Sequence, residues 1–188
     1  FEEGLAILSR YPLRDPRFTE LSPRNGIFEH RIALAVIAET PSGPIQLVTV
    51  HLPWDRTNRI NAGQMGSLEN FIAELEPYPT ILAGDFNAQE ETPQIKKLAK
   101  QWGDAFRHIN QERMSPTCCL RPENLHKAHA GQHFARVDYV FLRDNGKQHW
   151  VTLDAKTIFD RPFKTLKGYR WASNHVGVLV EAKLDLKN

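Results

Sequence analysis

The sequence contains little sulfur, with two cysteines and two methionines among its 188 residues. Cys118 and Cys119 are adjacent. Disulfide geometry is demanding and neighbouring cysteines rarely satisfy it, so we expect no bond between these two. The cysteines therefore leave the cellular compartment undetermined.

The sequence also lacks a strong charge imbalance, long apolar runs, repeats and low-complexity tracts. A net charge of +2 is too small to argue for nucleic-acid binding. No apolar stretch approaches the length of a membrane span, no signal peptide is visible, and no obligate protein partner is evident. A hydrophobic content of 41% and a charged content of 24% are ordinary for a globular protein. We therefore predict one domain, residues 1–188.

The most informative motif is Gly84-Asp85-Phe86-Asn87, which ends the apolar run Thr80–Ala83. Asp85 and Asn87 are two residues apart, so at a strand end they point to the same side. A carboxylate beside an amide suits a hard cation and a phosphate oxygen. In isolation, the motif is equally typical of a turn that Asp85 merely caps.

Three further motifs each touch a predicted strand. The predicted strands are 45–52, 137–142 and 176–182, and the motifs are Thr49-Val50-His51, Arg136-Val137-Asp138-Tyr139 and Ser173-Asn174-His175. In order and spacing, the four motifs resemble the endonuclease/exonuclease/phosphatase superfamily of DNase I-like metal-dependent phosphodiesterases. The segment Gly4–Pro12 also looks like a mid-domain strand of that family, so the resemblance covers nearly the whole chain.

The resemblance implies an α/β (α+β) fold, a four-layer α/β/β/α sandwich of two packed, mostly antiparallel sheets flanked by helices. Helical periodicity within 58–76 and a helix start at Thr92-Pro93, capped by the threonine hydroxyl, agree with it. Strands 31–39 and 45–52 flank a predicted hairpin turn of four or five residues. Family domains usually begin with a further stretch carrying an Asn and a metal-binding Glu. The chain therefore looks like the C-terminal two-thirds of such a domain.

The family motifs imply roles for five residues. Asp85 would orient or deprotonate the attacking water and touch the metal, Mg²⁺ or Mn²⁺, while Asn87 would hold a phosphate oxygen and contact the same metal. Asp138 would fix the tautomer of His175, whose other nitrogen would face the phosphate. His51 would contact the phosphate or donate a proton. Taken singly, His51 and His175 are equally compatible with structural histidines.

Asn174 departs from the family pattern, in which an Asp that helps to hold the metal usually precedes the histidine. Asn keeps the shape and one ligating oxygen but loses a unit charge. We therefore expect Asn174 to be a weak metal ligand.

Two other constellations have alternative interpretations. Several soft ligands that would suit zinc lie close together in one segment, although their spacing matches no established zinc motif. They are Cys118, Cys119, His126, His129 and His133. A basic and aromatic loop, 161–171, precedes His175, and its Arg170 and Trp171 are candidates for binding substrate. The alternative interpretation is a solvated loop whose aromatic side chains point inward and have no role in binding.

These observations predict a metal-dependent hydrolase of phosphodiester bonds. The substrate, whether nucleic acid, phospholipid or phosphoinositide, is not resolved by the motifs. Two rivals remain: a catalytically silent domain that binds phosphorylated partners, and a zinc-stabilised interaction module around Cys118–His133.

Overall fold

The computed structural model describes residues 4–27, 29–112, 115–128 and 134–187. Its largest element is a six-stranded mixed sheet with the strand order β1-β2-β3-β4-β6-β5. Only the β3–β4 pair in this sheet is parallel, and the other neighbours are antiparallel. The strands are β1 (Leu13–Glu20), β2 (Ile32–Thr40), β3 (Gly43–His51), β4 (Thr80–Asp85), β5 (Gly103–Asp104) and β6 (Asp138–Arg143).

A second antiparallel sheet pairs β7 (Gln148–Ile158) with β10 (Gly177–Leu186), and both strands contact β6. A small hairpin consists of β8 (Phe163–Thr165) and β9 (Gly168–Arg170). The helices are α1 (Arg59–Ala73), α2 (Pro93–Gln101) and α3 (Ala105–Ile109). The mixed α/β architecture confirms the DNase I-like fold class predicted from the sequence.

The hydrophobic core lies between the six-stranded sheet and the first two helices. Helix α1 contributes Leu68, Phe71 and Ile72, and α2 contributes Ile95 and Leu98, all of them buried. These residues recur at three- and four-residue intervals, which places them on one face of each helix. The two helices therefore anchor the connections that enter and leave β4.

Among the described residues, no helix is long and apolar enough to cross a membrane.

The structure corrects three local predictions. Gly4–Pro12 forms no strand, and β1 begins at Leu13, because the pairing with β2 reaches this segment only at its end, where the carbonyl of Pro12 accepts a 3.0 Å hydrogen bond from Glu39. The β2–β3 pairing continues to Thr40 opposite Gly43, so the hairpin turn has two residues rather than four or five. Gly43 permits this turn with a φ of 105°. At α2, the hydroxyl of Thr92 donates to the carbonyl of Gln89 at 2.7 Å instead of capping the helix.

Candidate active site

Strand register brings three of the predicted residues to one end of the six-stranded sheet. His51, the last residue of β3, is paired with Asp85, the last residue of β4. Asp85 is in turn paired with Asp138, the first residue of β6. Because neighbouring strands lie about 4.8 Å apart, these three side chains are adjacent across the sheet.

Asn87 lies just beyond the end of β4 and is fixed by two hydrogen bonds. Its backbone N–H donates to Asp85 Oδ1 at 2.8 Å, and its Nδ2 donates to the carbonyl of Leu52 at 2.8 Å. Its φ is 47°, a left-handed conformation that asparagine tolerates better than most residues. The bond to Leu52 uses one N–H of the amide, so the carbonyl oxygen is left for a cation, and the second N–H, which makes only long contacts to His51 and Asp85, is left for an acceptor.

His175 enters from the segment before β10. Its Nδ1 lies 2.9 Å from Asp138 Oδ2, and because a carboxylate oxygen accepts, Nδ1 is the donor. Its Nε2 lies 4.0 Å from Asp85 Oδ2, which also lies 3.4 Å from His51 Nε2. Asp85 is thus flanked by two imidazoles, and that of His175 is oriented by a second carboxylate.

The charges in this group perturb one another. Burial, followed by the nearby charge of Asp138, raises the pKa of Asp85 to about 6. The hydrogen bond to Asp138 raises the pKa of His175 above its ordinary value, against an opposing effect of burial. A carboxyl whose pKa is raised to about 6, lying 4.0 Å from an imidazole whose pKa is also raised, is suited to exchanging protons with it.

These side chains share an open cleft of about 720 Å³. Its lining includes every predicted catalytic and metal-binding residue: His51, Asp85, Asn87, Asp138, Asn174 and His175. Asn174 is exposed, and its Oδ1 accepts a 3.3 Å hydrogen bond from the hydroxyl of Ser173. Asp85, Asp138 and His175 offer ligand atoms within 4.8 Å of one another, a group that could hold a metal ion. Asp85, Asn87 and Asn174, the oxygen ligands expected for a hard divalent cation, line the same cleft, and their role as its ligands stays a prediction.

The other predicted residues lie outside the described lining of the cleft. Arg170 contacts the ring of His126, and Trp171 Nε1 donates to the carbonyl of Lys127 at 3.1 Å. Their role in binding substrate therefore stays a prediction. Of the soft-ligand segment, His129 and His133 lie outside the described residues.

Cys118 and Cys119 do line the cleft. Their sulfur atoms are bonded to each other, contrary to the expectation from sequence. Backbone hydrogen bonds hold both ends of this segment.

Sequence analysis missed a buried amide that joins the two strand ends. Asn61, in α1, donates to the carbonyls of Pro53 at 2.9 Å and Phe86 at 2.8 Å. It is fully buried, and it also accepts a 3.0 Å hydrogen bond from Gln94 Nε2. The available signal was its spacing, since Asn61 lies four residues before buried Met65 on the apolar face of the helix.

Arg136 begins the motif Arg136-Val137-Asp138-Tyr139, and no role was predicted for it from the sequence. It is buried, its Nε donates to Glu90 Oε1 at 2.7 Å, and it also pairs with Asp104. The guanidinium lies over the ring of Tyr139 at 4.3 Å from the centroid. This ion network ties the segment after Asn87 to the start of β6, and so holds two parts of the site in register.

Comparison with known proteins identifies the family of the chain. The model of the endonuclease/exonuclease/phosphatase family matches residues 2–175. The chain therefore belongs to the endonuclease/exonuclease/phosphatase family, whose enzymes hydrolyse phosphoesters and generally use divalent metals. No curated protein matches the chain.

Solved structures show the same fold at low sequence identity. A conserved protein of unknown function from Enterococcus faecalis V583 is 21% identical, with a TM-score of 0.66 over 91% of this chain and 67% of its own. Mannosyl-6-phosphatase from Bacteroides thetaiotaomicron is 15% identical, with a TM-score of 0.67 over 92% and 67%. The human nocturnin catalytic domain with bound sulfate is 17% identical, with a TM-score of 0.63 over 93% and 60%. The chain thus spans 60–67% of the length of these three structures.

The raised pKa of Asp85 leads to a prediction about stability. The folded pKa of about 6 exceeds the unfolded value, so the folded state binds the proton more tightly. The resulting stabilisation is complete below the unfolded pKa and is lost as pH rises through about 6. In EDTA, we expect the unfolding free energy of Asp85→Asn, relative to the unmodified chain, to rise by about 2 kcal/mol between about pH 4.5 and pH 8. Urea unfolding at both pH values measures this change.

Asp154→Asn is the matched control, because Asp154 is exposed and paired with Lys156. That ion pair lowers the pKa of Asp154, so the pH dependence of this variant should be small and opposite in sign. Equal changes for the two variants would show that burial does not penalise the charge of Asp85.

Proposed function

We propose that the chain is the catalytic part of a divalent-metal-dependent hydrolase that cleaves phosphodiester bonds by attack of an activated water. The observation that carries the proposal is the convergence of Asp85, Asp138 and His175, the last two joined by a 2.9 Å hydrogen bond, from β4, β6 and the segment before β10. Family membership supports the class of chemistry.

The proposed roles follow from the atoms that face the cleft. Asp85, ionised above about pH 6, orients the water and accepts its proton. Nε2 of His175, beside Asp85, donates to the phosphoryl oxygens or the leaving oxygen, while Asp138 holds the ring in place. His51 and Asn87 hold a phosphate oxygen. A Mg²⁺ or Mn²⁺ ion held by Asp85, Asn87 and Asn174 would offset the negative charge of the phosphoryl group.

A catalytically silent domain that binds phosphorylated partners is the second candidate. The observation that favours it is Asn174, a neutral amide at the position where the family resemblance leads us to expect a carboxylate metal ligand. Binding of Mg²⁺ would then be weak, and the cleft would still present histidines to a phosphate group. The substrate class, whether nucleic acid, phospholipid or phosphoinositide, stays open in both cases.

Activity and metal binding can be tested together. We expect hydrolysis of bis(p-nitrophenyl) phosphate to require Mg²⁺, to stop in EDTA and to be lost in Asp85→Asn. p-Nitrophenyl phosphate, assayed in parallel, separates diester from monoester preference. We expect Asn174→Asp to bind Mg²⁺ about tenfold more tightly by calorimetry, because it adds a carboxylate with little change in shape.

Ser173→Asp is a matched control, since it adds the same charge one residue away on the exposed segment. An equal gain in affinity from Ser173→Asp would show that general charge, and not ligation by Asn174, is responsible. Tighter Mg²⁺ binding without turnover would support the silent domain. Turnover unaffected by EDTA would contradict the proposed function.

A further inference from the structure

Two adjacent sulfur atoms lie on the wall of the cleft, beside the histidine of the candidate active site. Cys119 Sγ is 3.6 Å from His175 Nε2, and Cys118 Sγ is in contact with Cys119 Sγ. The ligand atoms of all three residues lie within 4.8 Å of one another. Cys118 is buried and Cys119 is partly buried, so the sulfur atoms are reached through the cleft and not from the outer surface.

The backbone fixes the cysteines relative to His175. The carbonyl of Asn174 accepts a 2.8 Å hydrogen bond from the N–H of Leu120, and the N–H of Val176 donates to the carbonyl of Thr117 at 2.9 Å. The residues on both sides of the cysteine pair are therefore bonded to the residues on both sides of His175. Because of this pairing, the backbone of the fold fixes the contact between the Cys119 sulfur and the His175 imidazole.

The separation of Cys119 and His175 matches that of two ligands in a soft-metal site, and the two sulfur atoms can move apart once they are not bonded to each other. With Zn–S near 2.3 Å and Zn–N near 2.0–2.1 Å in a tetrahedron, sulfur and nitrogen ligands lie about 3.6 Å apart. That is the observed separation of Cys119 Sγ and His175 Nε2. The other ring nitrogen of His175 donates to Asp138, which is the carboxylate–histidine arrangement common behind zinc ligands.

We propose that Cys118, Cys119 and His175 form a binding site for a thiophilic divalent cation of the zinc type. The site differs from the oxygen-rich set Asp85, Asn87 and Asn174 in its ligand atoms. Both sets of residues line the same cleft. Soft thiolate and imidazole ligands favour zinc, whereas carboxylate and amide oxygens favour magnesium. It also differs from the zinc cluster considered from sequence, since it uses His175 and none of the histidines at 126–133.

The site is open to the cation only when the sulfur atoms are not bonded to each other. A trialkylphosphine and one water convert the disulfide into two thiols and a phosphine oxide. Zinc then binds the two sulfur atoms as thiolates and releases their two protons to solvent. The disulfide form and the zinc-bound form are thus competing states of the pair Cys118 and Cys119.

Zinc at this site would inhibit hydrolysis, because it occupies Nε2 of His175, which the proposed reaction needs as a hydrogen-bond and proton donor. This consequence rests on the proposed function, whereas the binding itself does not. The two are therefore separable: a chain without hydrolase activity can still bind zinc.

The test titrates the phosphine-reduced chain with Co²⁺ and Zn²⁺. We expect one Co²⁺ per chain with thiolate-to-cobalt charge-transfer absorption, displaced by Zn²⁺. Loss of a direct ligand in Cys119→Ser or His175→Asn should weaken zinc binding more than the 10- to 100-fold typical of second-shell changes. The chain oxidised at the cysteine pair should show no charge-transfer band. Zinc inhibition of bis(p-nitrophenyl) phosphate hydrolysis, compared within each variant, should disappear in Cys119→Ser.

His126→Asn is the matched control, because His126 is a nearby exposed histidine that contacts Arg170. Its zinc affinity should equal that of the unmodified chain. Loss of binding in His126→Asn but not in His175→Asn would move the site to residues 118–133 and overturn the proposal. A reduced chain without a charge-transfer band would also overturn it, whatever its hydrolase activity.

Discussion

Asp138→Asn is expected to slow phosphodiester hydrolysis by about 10³- to 10⁴-fold while the fold is retained. The 2.9 Å hydrogen bond from His175 Nδ1 fixes the ring so that Nε2 faces Asp85 and the cleft. An amide at position 138 removes the negative charge that stabilises the protonated, donating ring, and its NH₂ group can meet Nδ1, which changes the tautomer of the neutral ring and the hydrogen bond that orients it. The measurement is kcat at saturating Mg²⁺.

A second readout separates this role from a structural one. Because the hydrogen bond to Asp138 is the largest cause of the raised pKa of His175, that pKa should fall in the variant, as followed by NMR titration of the ring. Asp154→Asn, an exposed change on β7, should leave both kcat and the His175 titration unaltered. An unchanged rate with a lowered His175 pKa would show that the tautomer does not limit the reaction.

The sequence was sufficient to predict that these residues lie together, because most of them occupy strand ends. A motif after an apolar run places its polar side chains at a sheet edge, and parallel pairing of β3 with β4 brings two such ends together. Asp138 was predictable for the same reason, since it begins β6. What local pattern could not show is the register itself, which follows from packing across the whole sheet.

The features that sequence analysis missed depend on contacts between distant segments. Asn61 has the local pattern of a helix residue, and only the structure shows it bonded to the carbonyls of Pro53 and Phe86. The cysteine pair was assigned to a cluster with nearby histidines, whereas the fold places it against His175, 56 residues away. Gly4–Pro12 has the pattern of a strand but is reached by the pairing with β2 only at its end, which its local sequence cannot reveal.

Gly84 is the residue on which the placement of Asp85 depends most directly. It pairs with Val50 of β3, and its φ is 155°. A Cβ built on Gly84 would lie 1.9 Å from the carbonyl oxygen of Val50. Because that atom belongs to the backbone of a central strand, no side-chain rotation can relieve the clash. The β3–β4 ladder must separate at the point where it supports the active-site carboxylate.

Gly84→Ala is therefore expected to destabilise the fold by about 3–5 kcal/mol, because the clash with a neighbouring backbone adds to the roughly 1–3 kcal/mol typical of an unfavourable backbone conformation. Thermal unfolding should begin about 10 °C lower or more, since a chain of this size loses about 2–4 °C for each kcal/mol. Gly66→Ala is the matched control, because Gly66 lies within α1 and an added Cβ there meets nothing within 4 Å. That variant should be more stable by about 0.5–1 kcal/mol, as alanine is favoured over glycine in helices. If Gly84→Ala unfolded at the temperature of the unmodified chain, β4 would not approach β3 as closely as the structure shows, and the adjacency of His51 and Asp85 would lose its physical basis.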